Sequence, residues 1–279
     1  LVIGRSLGAI YPLKEDYRRS TATAPALAGN GLSTSGQLYD TSFQLWPGEV
    51  LGIGALQGMG QLELFEALFG VTGLREGRVE LDGKAVTLTT PADAVRAGIG
   101  ISLVPEDRKT EGLFLTLSGT ANVSIPVIER LANFGWIVRE AEAAAVDEVF
   151  DRLNVHPRAL YKSASSFSGG NQQKIAIAKW LLAQSKVLLM FDPTRGVDIG
   201  TKHEIYILIR ELAKEGNAIL FYTTEIPELV NVCDRVLVMY RGRIVKELLG
   251  DEISEENIMT HALGTPAAET AASPKEIAR

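Results

Sequence analysis

The sequence predicts an α/β fold with a mainly parallel core sheet and a ligand edge, and one stretch carries the observations that lead there. Residues 165–198 read SSFSGGNQQKIAIAKWLLAQSKVLLMFDPTRGVD. First, a Ser168-Gly169-Gly170 trio precedes a run with Ile175, Ala178, Leu181 and Leu182 at helical spacing. Second, residues 187–191 are wholly apolar, which suits a parallel strand buried on both faces. Third, Asp192 falls at the carboxyl end of that strand, where open α/β sheets bind ligands. Ser168 suits a helix N-cap. The two glycines after it leave backbone N–H groups bare at the positive end of the helix, ready for an anion.

The 279 residues suffice for one large or two small domains, and a 46% hydrophobic content supplies a core. A net charge of -6 argues against a general nucleic-acid binder. The single cysteine, Cys233, cannot form an internal disulfide, and nothing at the amino end reads as an export signal, so the cytoplasm is the expected compartment. No apolar run approaches the ~18 residues that span a bilayer. Membrane association is therefore expected only through a partner.

The run Phe167-Ser168-Gly169-Gly170-Asn171-Gln172-Gln173-Lys174 resembles the signature motif of ATP-binding cassette (ABC) ATPases. The following PTRGVD resembles the turn after their second acidic motif. An isolated SGG is an ordinary cap, but signature, helix, strand and turn in this order are specific. The resemblance implies a P-loop NTPase-like ABC cassette over residues 26–264, with an antiparallel β edge and a helical subdomain at about 107–185. It also implies ATP and Mg2+ as cofactors.

In chain order, residues 1–25 are expected as a linker. LVIGRSLGAIYP is similar to the end of the first cassette in tandem ATPase subunits of bacterial carbohydrate importers, and a plain surface segment is the alternative. The charged, Ser/Thr-rich stretch at 14–25 lacks apolar period. Strands are predicted at 26–32, 39–45 and 50–53. A phosphate loop, G-x-x-x-x-G-K-[ST], belongs next, because its glycine amides wrap phosphates, its lysine neutralises them and its hydroxyl holds magnesium. Ala55-Leu56-Gln57-Gly58-Met59-Gly60-Gln61-Leu62 occupies that place. Gly58 and Gly60 fit; Gln61 replaces the lysine and Leu62 the hydroxyl residue. An attraction of about 1 to 4 kcal/mol toward a phosphate charge is thereby missing. Leu62, Phe65 and Phe69 are expected to form the helix's core face.

Residues 77–88 read as a hairpin around Asp82-Gly83, and 99–104 as another strand. The VPEDRK...EGL run after it resembles second cassettes of carbohydrate importers. The resemblance puts Glu106 where most cassettes carry the glutamine that links nucleotide to the membrane partner. The helical insertion is expected at 116–161, with a helix at 139–153 ended by His156-Pro157. No His or Cys set has metal spacing.

Active cassettes carry two successive carboxylates, an aspartate for magnesium and a glutamate that polarises water. This chain has one. Without a gap, Phe191 replaces the aspartate and Asp192 the glutamate, and a base misplaced by about 1 Å can cost ~100-fold. With a one-residue deletion, Asp192 keeps the magnesium position and the base is missing. Further helix and strand are expected at 201–212 and 218–222, with Thr224 at the position of the family's γ-phosphate histidine and Glu225 after it. His203 and His261 read as surface residues. A last hairpin turns at Arg241-Gly242, and 265–279 read as a disordered tail.

Cassettes of this family work as head-to-tail pairs, each ATP held between one partner's phosphate loop and the other's signature. The resemblance implies that Ser168, Gly169, Gly170 and Gln172 serve ATP on a partner cassette, with Asp198 and Thr224 as further expected nucleotide-binding positions, while the chain's own loop binds weakly and hydrolyses little. The implied partners are another cassette, expected as the N-terminal half of the same polypeptide, transmembrane permease subunits and, indirectly, a solute-binding protein. The implied place is the inner face of the bacterial cell membrane and the role is sugar uptake. A regulatory cassette without a transporter is the alternative.

Overall fold

The computed structural model describes residues 11, 12, 14, 17 and 23–264. The expected tail and most of the expected linker lie outside the described residues. The described elements begin with antiparallel β1 (Leu27–Ser33) and β2 (Thr41–Leu45). Asp40, at φ 46°, turns the chain and shortens the strand expected from residue 39. β3 (Val50–Gly54) then leads through a loop into α1 (Gln61–Phe69). β4 (Glu76–Leu81) and β5 (Lys84–Val86) form the expected hairpin. A Thr90/Asp93 capping box starts α2 (Pro91–Arg96), which leads to β6 (Ile101–Val104). The insertion follows: a π-turn at Arg108–Gly112, α3 (Gly119–Ser124), a hairpin of β7 (Ala132–Asn133) and β8 (Trp136–Ile137), and α4 (Arg139–Arg152). α5 (Gly169–Ala183) brings the chain back to β9 (Val187–Phe191), α6 (Ile199–Lys214) and β10 (Ala218–Tyr222). α7 (Ile226–Val232), β11 (Arg235–Tyr240), β12 (Arg243–Leu249) and α8 (Glu255–Ala262) complete the described fold.

One sheet has six strands in the order β12-β11-β3-β10-β9-β6. All neighbours in it are parallel except the edge strand β12. β3, β9 and β10 are buried along their whole length, which explains their unbroken apolar sequence. The second sheet, β2-β1-β4-β5, is antiparallel, and β2 alternates buried and exposed residues. The parallel arrangement brings the loops after β3, β6, β9 and β10 to one edge of the core sheet. Those four loops carry the candidate residues other than Ser168, Gly169, Gly170 and Gln172, which lie at the start of α5.

The hairpin β7/β8 and helices α2, α7 and α8 were not expected. Each helix has eight residues or fewer, too short to show a clear helical period. α6 begins earlier than residue 201 because Asp198 caps it, accepting a hydrogen bond from the Thr201 amide at 3.1 Å. Phe65 and Phe69 enter the core as expected, but Leu62 does not: it is 48% exposed and faces a cavity. His203 and His261 are half-buried rather than on the open surface, with the His261 Nδ1 shielded and unbonded.

Candidate nucleotide site

The loop after β3 has the backbone of a phosphate cradle. Gly58 and Gly60 take positive φ values of 76° and 96°, a region that favours glycine. A Cβ at Gly60 would lie 2.2 Å from the Gln37 carbonyl oxygen, so no other residue fits. The Gly242 amide donates to the Met59 carbonyl at 2.8 Å and fixes the loop from behind.

Gln61 is only 3% exposed and its amide is spent inside the protein. Its Oε1 accepts from the Met59 N–H at 2.9 Å, and its Nε2 donates to the Tyr222 hydroxyl at 3.2 Å. Tyr222 stacks on Phe191 at 4.5 Å, and Phe191 meets Phe65 edge-on at 5.1 Å. Residues 61 and 191 thus belong to one contact chain: a neutral amide and three rings stand together. The amides of Gly60, Gln61 and Leu62 meet no acceptor among the described residues.

Magnesium does not fit this donor set. Leu62 and Phe191 supply only carbon, and both line one cavity of about 870 Å³ together with Phe65, Glu106, Phe114 and Trp180. The Asp192 carboxylate, on a residue 2% exposed, accepts hydrogen bonds from the Thr224 hydroxyl at 2.9 Å and the Thr223 hydroxyl at 3.3 Å. Burial pushes its pKa up, the Glu228 charge adds to this, and the threonine hydroxyls oppose it. Among the described residues no group of three His, Cys, Asp or Glu is placed to hold a metal.

Beside Asp192 lies a network that sequence reading missed. Glu228 is fully buried and accepts from Thr194 Oγ1 at 2.7 Å, Tyr206 Oη at 2.6 Å and Lys202 Nζ at 3.1 Å. Lys202 also pairs with Glu225, directly after Thr224. The network ties α6 and α7 to the acidic turn. The signal was Ile226-Pro227, since proline at the first helical turn marks a start.

At the other end of the stretch, Ser168 caps α5 by accepting from the Asn171 amide at 3.4 Å. The Gly169 and Gly170 amides meet no acceptor among the described residues. A Cβ at Gly170 would lie 2.4 Å from Thr201 Oγ1. Gln172, expected to face a partner's nucleotide, is turned inward instead: it is 5% exposed and its Nε2 donates to the Ala164 and Phe167 carbonyls at 3.2 and 3.1 Å. Its amide holds the approach to the motif in shape. Glu106 pairs with the Arg195 side chain, and hydrogen bonds hold the Asp198 carboxyl below the usual aspartate range.

The four loops at the edge of a mainly parallel sheet, the inserted helices and the glycine-led start of α5 define an ABC-type ATPase fold. Residues 38–195 match the ABC transporter family, and the chain belongs to it. It is 45% identical, over 94% of its length and 51% of the relative's, to ribose import ATP-binding protein RbsA 1 of Rhizobium johnstonii. To ribose import ATP-binding protein RbsA of Shouchella clausii it is 40% identical over 95% of its length and 52% of the relative's. The chain spans about half the length of the relatives it matches. Among solved structures, a nucleotide-free ATP-binding cassette from an ABC transporter superposes with TM-score 0.71 at 23% identity, covering 90% of this chain and 100% of the other. That likeness establishes the fold.

Proposed function

We propose that this chain is one cassette of a sugar-import ATPase, that its own phosphate loop is a weak nucleotide site, and that the start of α5 serves ATP bound by a partner cassette. The observation that carries the reading is the state of Gln61. Where an active loop presents a lysine to phosphate, this side chain bonds the loop's own Met59 amide and Tyr222. The neutralising charge and the hydroxyl oxygen expected of the loop are missing together, while three loop amides remain for a weak contact. Ser168, Gly169 and Gly170 keep the opposite character, with two open amides at the positive end of a fifteen-residue helix.

The printed names of the relatives support sugar import, with ribose the leading solute class. Their length, about twice the matched stretch, accommodates a second cassette, and the head-to-tail partner is proposed as the N-terminal half of the same polypeptide. Among the described residues no helix is long and apolar enough to cross a membrane. Attachment to the inner face of the cell membrane is therefore assigned to permease subunits, with the apolar cavity beside Glu106 as their seat. The test is turnover by the chain alone and by the full-length protein with its permease. The chain alone should hydrolyse little or no ATP. Turnover on the order of 1 to 10 per second from it overturns the reading. Failure of the full-length protein to co-purify with a permease overturns the transport assignment.

A further inference from the structure

The segment after β6 carries a charged group to which the nucleotide chemistry described above gives no role. Arg108 is 7% exposed. Its Nη1 donates to the Arg195 carbonyl at 3.1 Å and its Nη2 to the Gly196 carbonyl at 3.4 Å, while Nε is buried without a partner. It forms no ion pair with a carboxylate among the described residues; burial pushes its pKa down and only the nearby Asp107 charge opposes this. A buried guanidinium without a paired carboxylate is expensive to keep. Its position suggests what it is kept for.

The guanidinium lies against the first residue of α5. A Cβ on Gly169 would be 2.7 Å from Arg108 Nη2 and 3.2 Å from the Gly196 carbonyl oxygen, so this glycine leaves the space that the arginine fills. Two residues upstream, Glu106 pairs with the Arg195 side chain. Residues 106 and 108 therefore grip the 195–196 turn twice, once through its side chain and once through its backbone. Arg108 touches both the turn and the start of α5.

We propose that Arg108 is a positioning residue whose planar fork locks the start of α5 to the Arg195–Gly196 turn, so that both meet the terminal phosphate of a partner's ATP as one rigid face. The proposal rests on the reading that α5 serves a partner's nucleotide. A guanidinium spans two successive carbonyls in fixed geometry, whereas a lysine ammonium is a point charge on a flexible stem and does not reproduce the fork. Gly169 then has a second reason to be glycine, which is to seat Arg108.

The test uses the full-length protein assembled with its permease and reads hydrogen exchange beside ATPase kinetics. Arg108→Met should speed exchange of the amides at 169–171 and 195–198 about tenfold without touching β9, a local loosening. It should lower kcat about tenfold and leave KM for ATP within about twofold, as expected when a reacting face is misplaced but the partner's own loop still binds. Arg108→Lys should not rescue kcat. In the Arg108→Ala background, Gly169→Ala should cost much less than in the native protein, because the collision is gone.

Unchanged exchange in Arg108→Met overturns the clamp, and so does full rescue by lysine or an additive double variant. Raised exchange with normal kcat, in a complex that Gly170→Asp inactivates, overturns the positioning role. If Gly170→Asp leaves hydrolysis intact, the partner-nucleotide reading is what fails, and with it the role in presenting a phosphate; exchange still decides the clamp.

Discussion

Two helix starts in this molecule, at Gln61 and at Gly169, have the same backbone logic and opposite surroundings. Each has glycine at or just before its first turn, and each leaves amides without an acceptor at its positive end. At the first, the Gln61 side chain is a neutral amide bonded into the loop, and Leu62 and Phe191 line an apolar cavity beside it. At the second, a buried arginine lies against the first glycine. The difference teaches that backbone amides alone make an anion site geometrically possible, whereas the charge placed around them decides how much it is used.

The sharpest way to break the comparison is to return an acid to the first site. Phe191 is 5% exposed and packed between Phe65 and Tyr222, so Phe191→Asp should destabilise the fold by about 3–5 kcal/mol, measured by denaturant titration. It should not restore hydrolysis in the isolated chain, because Gln61 and Leu62 remain. Next in size, Gly170→Asp places a carboxylate at the second site and against Thr201 Oγ1. It should reduce ATPase of the paired cassettes about 100-fold, as misplacement in a reacting site can do. Turnover unchanged by this variant removes the second site from the chemistry.

A smaller effect sharpens the first site. Gln61→Lys restores a cation beside three open amides, and nucleotide affinity of the isolated chain should rise about tenfold, or ~1.4 kcal/mol, by fluorescence titration. A lysine that brings no gain in affinity means the loop is closed for reasons other than charge.

Smallest is the effect of Asp192→Asn. The folded-state pKa of Asp192 is raised, so the native protein is favoured by its protonated form, and this contribution is full below the ordinary aspartate value of 3.8 and lost as pH rises through the raised pKa. The asparagine amide of the variant is not charged at any pH. The variant should therefore melt slightly above the native protein at pH 7, by no more than about 1 kcal/mol in stability, with the gap closing at about pH 3.5. A gap that persists at that acid pH shows that the effect is not ionisation.

Much of this was legible in advance, and the exceptions share a cause. β9 and β10 were placed to the residue, because a strand buried on both faces has an unbroken apolar sequence that flanking polar residues delimit. Ser168 as a cap was readable because capping is local chemistry. Leu62 was misplaced because helical period names a face without saying what covers it, and here part of that face meets an open cavity. Gln172 was misplaced because motif membership does not give a side-chain direction. Glu228 was overlooked because its helix has only seven residues, and the partners that make a buried carboxylate tolerable come from α6 and the acidic turn.

What the sequence determined by itself is the order of parts: a glycine-led loop before one helix, a single acid at the end of β9, and an unbroken Ser-Gly-Gly before another helix. Such features lie within a few residues of one another, and local chemistry suffices to read them. Only the tertiary structure decided that Gln61, Tyr222, Phe191 and Phe65 form one contact chain, and that Arg108 shares the start of α5 with the 195–196 turn. These residues are up to 161 positions apart, and no periodicity or spacing encodes their meeting. They come together because parallel strands collect the ends of distant segments at one edge, where packing selects which side chains touch.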